Sequence, residues 1–106
     1  MLLMKDSIKD LGTSLYGRKD LLYDYSWLHY HPTDPRISGV PNDTVFNRSQ
    51  GMEVLYLINA FAQKRGFRSK SSCCKLEKIL HLYVPPTVRR QDEIIAWIED
   101  NWFNFM

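Results

Sequence analysis

Ten consecutive residues, Met52 to Phe61 (MEVLYLINAF), make the densest apolar run in the chain. Asn47, Arg48 and Ser49 precede the run, and Gly66 follows the polar Gln63-Lys64-Arg65. That is the order of a helix start and a helix stop. Met52, Leu55, Ile58 and Ala62 recur at three- and four-residue spacing, and Val54, Leu57 and Phe61 widen the stripe. A rod with so broad an apolar face must be wrapped by other elements, so the pattern predicts a central helix over 50–65.

The rest of the chain supplies the wrapping. Residues 2–15 read as a short amphipathic helix with Leu3, Ile8, Leu11 and Leu15 on one side and Gly17 past its end. Leu21 to Tyr30 (LLYDYSWLHY) fits two periods. Leu21, Tyr25 and Leu28 suit a helix, whereas Tyr23, Tyr25 and Trp27 suit a strand, and the helix is the reading favoured here. From His31 to Asn47, four punctuating residues (Pro32, Pro35, Gly39 and Pro41) mark a long proline-rich loop, pinned to the core by Ile37, Val40, Val45 and Phe46. A serine among Ser69, Ser71 and Ser72 caps a helix over 71–83. Pro85-Pro86 ends that helix, and Thr87 caps a last one over 88–102 with Ile94, Ile95, Ile98 and Trp102 inward. The expected architecture is all-α: one domain over 1–106, a bundle of four to five short helices.

At 106 residues there is room for one core. An apolar content of 44% excludes a disordered chain. The longest apolar stretch falls well short of the roughly 20 residues that span a bilayer, and Met1-Leu2-Leu3-Met4 is too short for a leader. Cys73 and Cys74 are adjacent and point apart on a helix, so both are expected to be free thiols in a reducing, cytoplasmic setting.

Signatures of catalysis are sparse. His29 and His31 with Asp34 form the best metal candidate, since on an extended segment both imidazoles share a face. Two histidines beside prolines are a thin basis, and no cofactor or metal is expected. Cys74 and His81 lie seven residues apart on a helix, about 10.5 Å by the helical rise, too far to share one zinc. The carboxylates Asp92, Glu93, Glu99 and Asp100 are explained by capping and solvation, and the five glycines are too scattered to cradle a phosphate. The chain is therefore read as a non-enzyme.

Charge is distributed unevenly. The net charge is +2, but residues 48–90 carry nine bases against two acids and residues 91–106 carry four acids and no base. Gln63 to Lys78 runs helix, glycine turn, helix, with Lys64, Arg65, Arg68, Lys70, Lys75 and Lys78 against the single acid Glu77. Over 52–83 this resembles a degenerate DNA-binding helix-turn-helix, with Ala62 four residues before Gly66 at the tight-turn spacing. Its register departs by one residue, because Cys73 and Leu76 are apolar where Ser72 and Lys75 should be. The resemblance implies nucleic-acid contact through those six bases and Ser71. The competing expectation is a solvated basic rim that pairs with the acidic last helix.

Aromatics and arginine are the residue types enriched at interface hot spots. Tyr23, Tyr25, Trp27, Tyr30 and Arg36, flanking the proline-rich loop, are the residues expected to touch a protein partner, with core packing as the plainer role for the same rings. The functional expectation is a small non-catalytic adaptor or inhibitor; the alternative is a nucleic-acid binder.

Overall fold

A computed structural model describes residues 15–105. Among them are three α-helices: α1 (Gly51–Arg65), α2 (Lys70–Leu82) and α3 (Gln91–Asn101). Short 3-10 turns occupy Arg18–Asp20 and Trp102–Phe105. The helix expected over 2–15 lies outside the described residues except at its last position. No strand forms among the described residues, and two isolated bridges join Ser26 to Gln50 and Val45 to Arg90.

Helix α1 is the central rod, but its buried stripe is rotated from the expected one. Val54, Leu57, Ile58, Phe61 and Ala62 are buried, whereas Met52 and Leu55 are half-buried flanks. The face is turned this way because Glu53 and Gly51 are also drawn inside. Fully burying each large apolar side chain contributes roughly 1.5–3 kcal/mol. The helix stops where Gly66 enters the left-handed region at φ 70°, and Phe67 then donates its N–H to the Ala62 carbonyl at 2.8 Å. Phe67 closes an aromatic cluster with Phe61 and Trp102 at centroid distances of 5.8 and 5.2 Å. A β-carbon at Gly66 is strained in that conformation, so Gly66→Ala is expected to cost about 1 kcal/mol in urea unfolding. A stabilised variant would show that the turn relaxes.

Ser69 caps α2, its hydroxyl accepting the Ser72 N–H at 3.4 Å. Cys73, Leu76, Ile79 and Leu80 are buried, and so is Glu77, whose carboxylate meets Tyr16, Leu22 and Tyr25. Tyr83 lies beyond the helix, stacked 4.7 Å from Phe105, which also meets Trp97 at 6.1 Å.

Helix α3 starts later than the sequence suggests. Thr87 is not its cap. Phe46 donates its N–H to the Arg89 carbonyl at 2.8 Å, and Gln91 donates to the Thr44 carbonyl at 3.0 Å, so residues 88–90 stay extended. The N-cap is Arg90, whose own N–H is taken by the Glu93 side chain at 3.2 Å.

Two further expectations are corrected. Residues 21–30 are not helical; they form an extended strap that crosses the start of α1 and runs beside α2. In the segment 31–47, Phe46 is buried, but Val40 is 80% exposed and Val45 also points to water. What holds these irregular segments is a set of buried and half-buried polar side chains. Gln91, wholly buried, accepts the Asn42 N–H at 3.0 Å and donates to the Arg36 carbonyl at 2.9 Å. Asn59 on α1 accepts the Tyr16 N–H and donates to the Tyr16 carbonyl, both at 2.9 Å. Arg48 donates to the carbonyls of Val84, Pro85 and Val88 at 2.7–2.8 Å, closing the link between α2 and α3. Side chains of the helices thus replace the ladder that a sheet would have provided.

Candidate protein-contact surface

The strap is positioned from beneath by three buried groups. The Leu22 N–H donates to both oxygens of Glu77 at 3.0 Å. Leu28 donates to the Gln50 side chain at 3.1 Å, and Ser26 exchanges hydrogen bonds with Ser49 and Gly51 at 2.9 Å. Tyr30 donates its hydroxyl to Glu53 at 2.6 Å. With its backbone settled, the strap has no need of helical hydrogen bonds.

Alternation along the extended strap then sorts the side chains. Tyr25 and Trp27 turn inward, edge to face at 6.5 Å. The Trp27 ring lies directly on Gly51, and the Arg18 guanidinium covers it 3.9 Å from the ring centroid. Tyr30 is buried, with the Arg36 guanidinium 4.5 Å over its ring. Arg36 also pairs with Asp34 through two bonds of 3.0 and 2.7 Å. This pairing holds the Asp34 carboxyl down to about 2. Burial, followed by the bond to Glu53, pushes the Tyr30 phenol up to about 12. Of the five residues expected at a protein contact, Tyr25, Trp27 and Tyr30 are engaged internally, and Tyr23 and Arg36 remain open to solvent. The strap also exposes Leu22 (47%) and Leu28 (58%) beside Tyr23 (36%).

Beneath the strap lies a chain of polar groups. Glu77 is 0% exposed and carries no cationic partner among the described residues. Its carboxylate accepts from the Tyr16 hydroxyl at 2.9 Å, from Leu22, and from the Tyr25 hydroxyl at 2.5 Å. Tyr25 in turn meets His81 Nε2 at 2.7 Å, and Tyr16 meets Cys74 Sγ at 3.2 Å. Burial is the main cause, and Glu77 a lesser one, of both phenols being pushed well above their ordinary values. Burial holds the His81 imidazole below its usual value. His81 opens onto a groove of about 540 Å³ lined also by Tyr23, Asp24, Asn47, Arg48 and Ser49.

The residues expected to contact nucleic acid are dispersed and largely engaged. Lys64 and Arg65 both reach Glu99, at 3.1 and 3.6 Å. Lys70 pairs with Asp20 at 3.1 Å, and Lys75 sits 4.0 Å over the Trp102 ring. The Ser71 hydroxyl is 3.0 Å from that of Ser69. Arg68 and Lys78 are exposed without an ion pair among the described residues.

The metal candidates do not converge. The His31 ring bonds Thr33 at 2.8 Å, Asp34 is taken by Arg36, and no group of three ligating side chains is assembled among the described residues. Cys73 is buried and Cys74 half-buried, both free, with burial pushing the Cys73 thiol up to about 11. Among the described residues, no helix is long and apolar enough to cross a membrane.

No family model, no curated protein and no solved structure matches this chain.

Glu77, Glu53, Gln50 and Gln91 are the structural residues that sequence reasoning passed over. A signal for Glu77 was present: it is the lone acid among six bases, four residues after the apolar Cys73 and three before Leu80. Read by helical spacing, it belongs on the buried face.

Proposed function

We propose that this chain is a small non-catalytic binding protein of the adaptor or inhibitor kind, and that it presents the strap at 21–30 to a protein partner. The observation that carries the reading is Leu22, Tyr23 and Leu28 standing in solvent on a backbone pinned from below by Glu77 and Gln50. An apolar patch on a fixed backbone pays little ordering entropy on association, and that is where interface energy concentrates. The non-catalytic part of the reading is supported by the internal engagement of the chemically capable groups: both buried carboxylates accept hydrogen bonds from tyrosines. Free thiols suit a reducing, cytoplasmic setting.

The alternative, phosphate binding by the basic stretch, loses support because Lys64, Arg65 and Lys70 have acidic partners within the chain. The test is capture from a native host lysate with three baits, read by mass spectrometry. Wild type and Arg68→Ala/Lys78→Ala are expected to retain the same protein, and Tyr23→Ser/Leu28→Ser to lose it at least 10-fold. A retardation assay with mixed-sequence DNA and RNA is expected to show no shift at low salt. A shift that fades as salt rises and disappears in Arg68→Ala/Lys78→Ala would reverse the choice.

A further inference from the structure

Successive residues of a helix turn by about 100°, so Lys75, Lys78 and Leu82 of α2 fall within about 60° of one another. The strap lies on the other flank of α2, where Cys74, Glu77 and His81 are engaged. Beside Lys75 and Leu82 runs the C-terminal turn Trp102–Phe105. Two contacts fasten it there: Lys75 Nζ sits 4.0 Å over the Trp102 ring, and Tyr83 stacks 4.7 Å from Phe105. Trp97 of α3 backs Phe105 at 6.1 Å. These half-buried rings make a firm bed, and Leu82 (61%), Tyr83 and Phe103 (77%) stand out from it into solvent. The result is an apolar ledge edged by two lysines, neither with a carboxylate partner among the described residues.

We propose that this ledge docks the protein on an anionic bilayer surface. Leu82, Tyr83 and Phe103 enter the boundary between headgroups and acyl chains, and Lys75 and Lys78 meet the anionic headgroups. The ledge is a second surface, separate from the strap.

Shape and charge together choose the bilayer over other occupants. Grooves of about 540, 570 and 360 Å³ open elsewhere on the molecule, lined by other residues. The ledge instead stands on the outside of α2, where it meets a plane. Surfaces that lie in a membrane interface combine aromatic and aliphatic side chains with lysines whose stems run along apolar surface. Lysines draw such a surface toward anionic lipid, and the apolar side chains hold it once there. A nucleic-acid backbone would use the lysines but give Leu82 no role, since an aliphatic side chain neither stacks on bases nor meets phosphate. A second copy, paired symmetrically through the same ledge, would bring two pairs of lysines into one contact. Of the acids closing α3, Glu99 is taken by Lys64 and Arg65, and Asp100 bounds the ledge three residues beyond Trp97.

The test is co-sedimentation of the full chain with phosphatidylcholine vesicles containing about 30% phosphatidylserine, and with vesicles of phosphatidylcholine alone. Binding to the mixed vesicles is expected to weaken but persist as salt rises, and to be at least about 10-fold tighter than to phosphatidylcholine alone. Leu82→Ser/Phe103→Ser is expected to lose about 10-fold or more, and Lys75→Gln/Lys78→Gln to bind both kinds of vesicle alike. Val40→Ser removes a comparably exposed apolar side chain beside the groove between α1 and α3, and is expected to bind as wild type does. Circular dichroism checks folding, and Phe103→Ser alone carries the test should the serine pair fail to fold. The proposal is overturned if wild type stays in the supernatant at low salt, if phosphatidylcholine alone is bound as well, or if the serine variant still sediments. Lysine variants that keep the preference for phosphatidylserine overturn it too, as does an equal loss in Val40→Ser, which would show general adsorption. If vesicles are ignored and Leu82→Ser/Phe103→Ser instead loses a protein captured from lysate, the ledge is a second protein contact and the bilayer reading falls.

Discussion

Glu77→Ala is expected to lower the unfolding free energy by roughly 3–5 kcal/mol, a large share of the roughly 5–15 kcal/mol that holds a small domain folded. The substitution strips acceptors from the Tyr16 hydroxyl, the Leu22 N–H and the Tyr25 hydroxyl at once. Each buried donor left unpaired costs about 1–3 kcal/mol. Glu77→Gln keeps the shape and one acceptor but aims an NH2 group at donors, so it should lose about half as much. Urea unfolding followed by circular dichroism measures both. If the alanine variant stays within about 1 kcal/mol of wild type, Glu77 is not what fastens the strap.

Gly51→Ala is the second large effect, and two principles disagree about its sign. Inside a helix, alanine is favoured over glycine by about 1 kcal/mol. Here, however, a β-carbon at position 51 would overlap the six-membered ring of Trp27, over which the Arg18 guanidinium also lies. Overpacking against a held ring costs about 1–3 kcal/mol, and the ring must shift to relieve it. The net expectation is a loss of about 2 kcal/mol, which lowers Tm by roughly 8–16 °C in a domain of this size. The double variant Gly51→Ala/Trp27→Ala should recover part of that loss, because the overlap has gone. A Gly51→Ala protein with a raised Tm would show that Trp27 does not pack there.

The pH dependence of stability follows from His81. Its folded value lies below its free one, so around pH 6 the unfolded chain binds more protons than the folded one. Stability is then lost as pH falls below about 6.5, the unperturbed value for histidine. His81→Gln should flatten that slope.

The three described helices could be read from local signals because each element carries its own. Gly66 stops α1 by adopting a conformation that costs other residues, Ser69 caps α2 with its hydroxyl, and Pro85-Pro86 follows the end of α2. The start of α3 could not be placed this way. Thr87 is a competent cap in isolation, but Phe46, more than forty residues earlier, takes the Arg89 carbonyl and holds the chain extended. The strap was ambiguous for the same reason. Tyr23, Tyr25 and Trp27 carry a two-residue period, yet with no neighbouring strand in view that period has nothing to pair with. Its partners are side chains: Glu77, 55 residues from Leu22, and Gln50, 22 residues from Leu28.

The candidate surface divides along the same line. That the aromatic stretch and the basic stretch were the two regions to weigh followed from composition alone. Which residues of each remain available was set by packing. Tyr25, Trp27 and Tyr30 went inward, Lys64 and Arg65 went to Glu99, and Leu22 and Leu28 came out. Apolar spacing and chain-stopping residues are written along the backbone, so the helical class and the central rod were legible from the order of the amino acids. The partner of a buried carboxylate is a matter of three-dimensional proximity, because a desolvated charge accepts whichever donors the fold delivers. The strap, its exposed face and the His81 network were therefore decided only when the chain closed on itself.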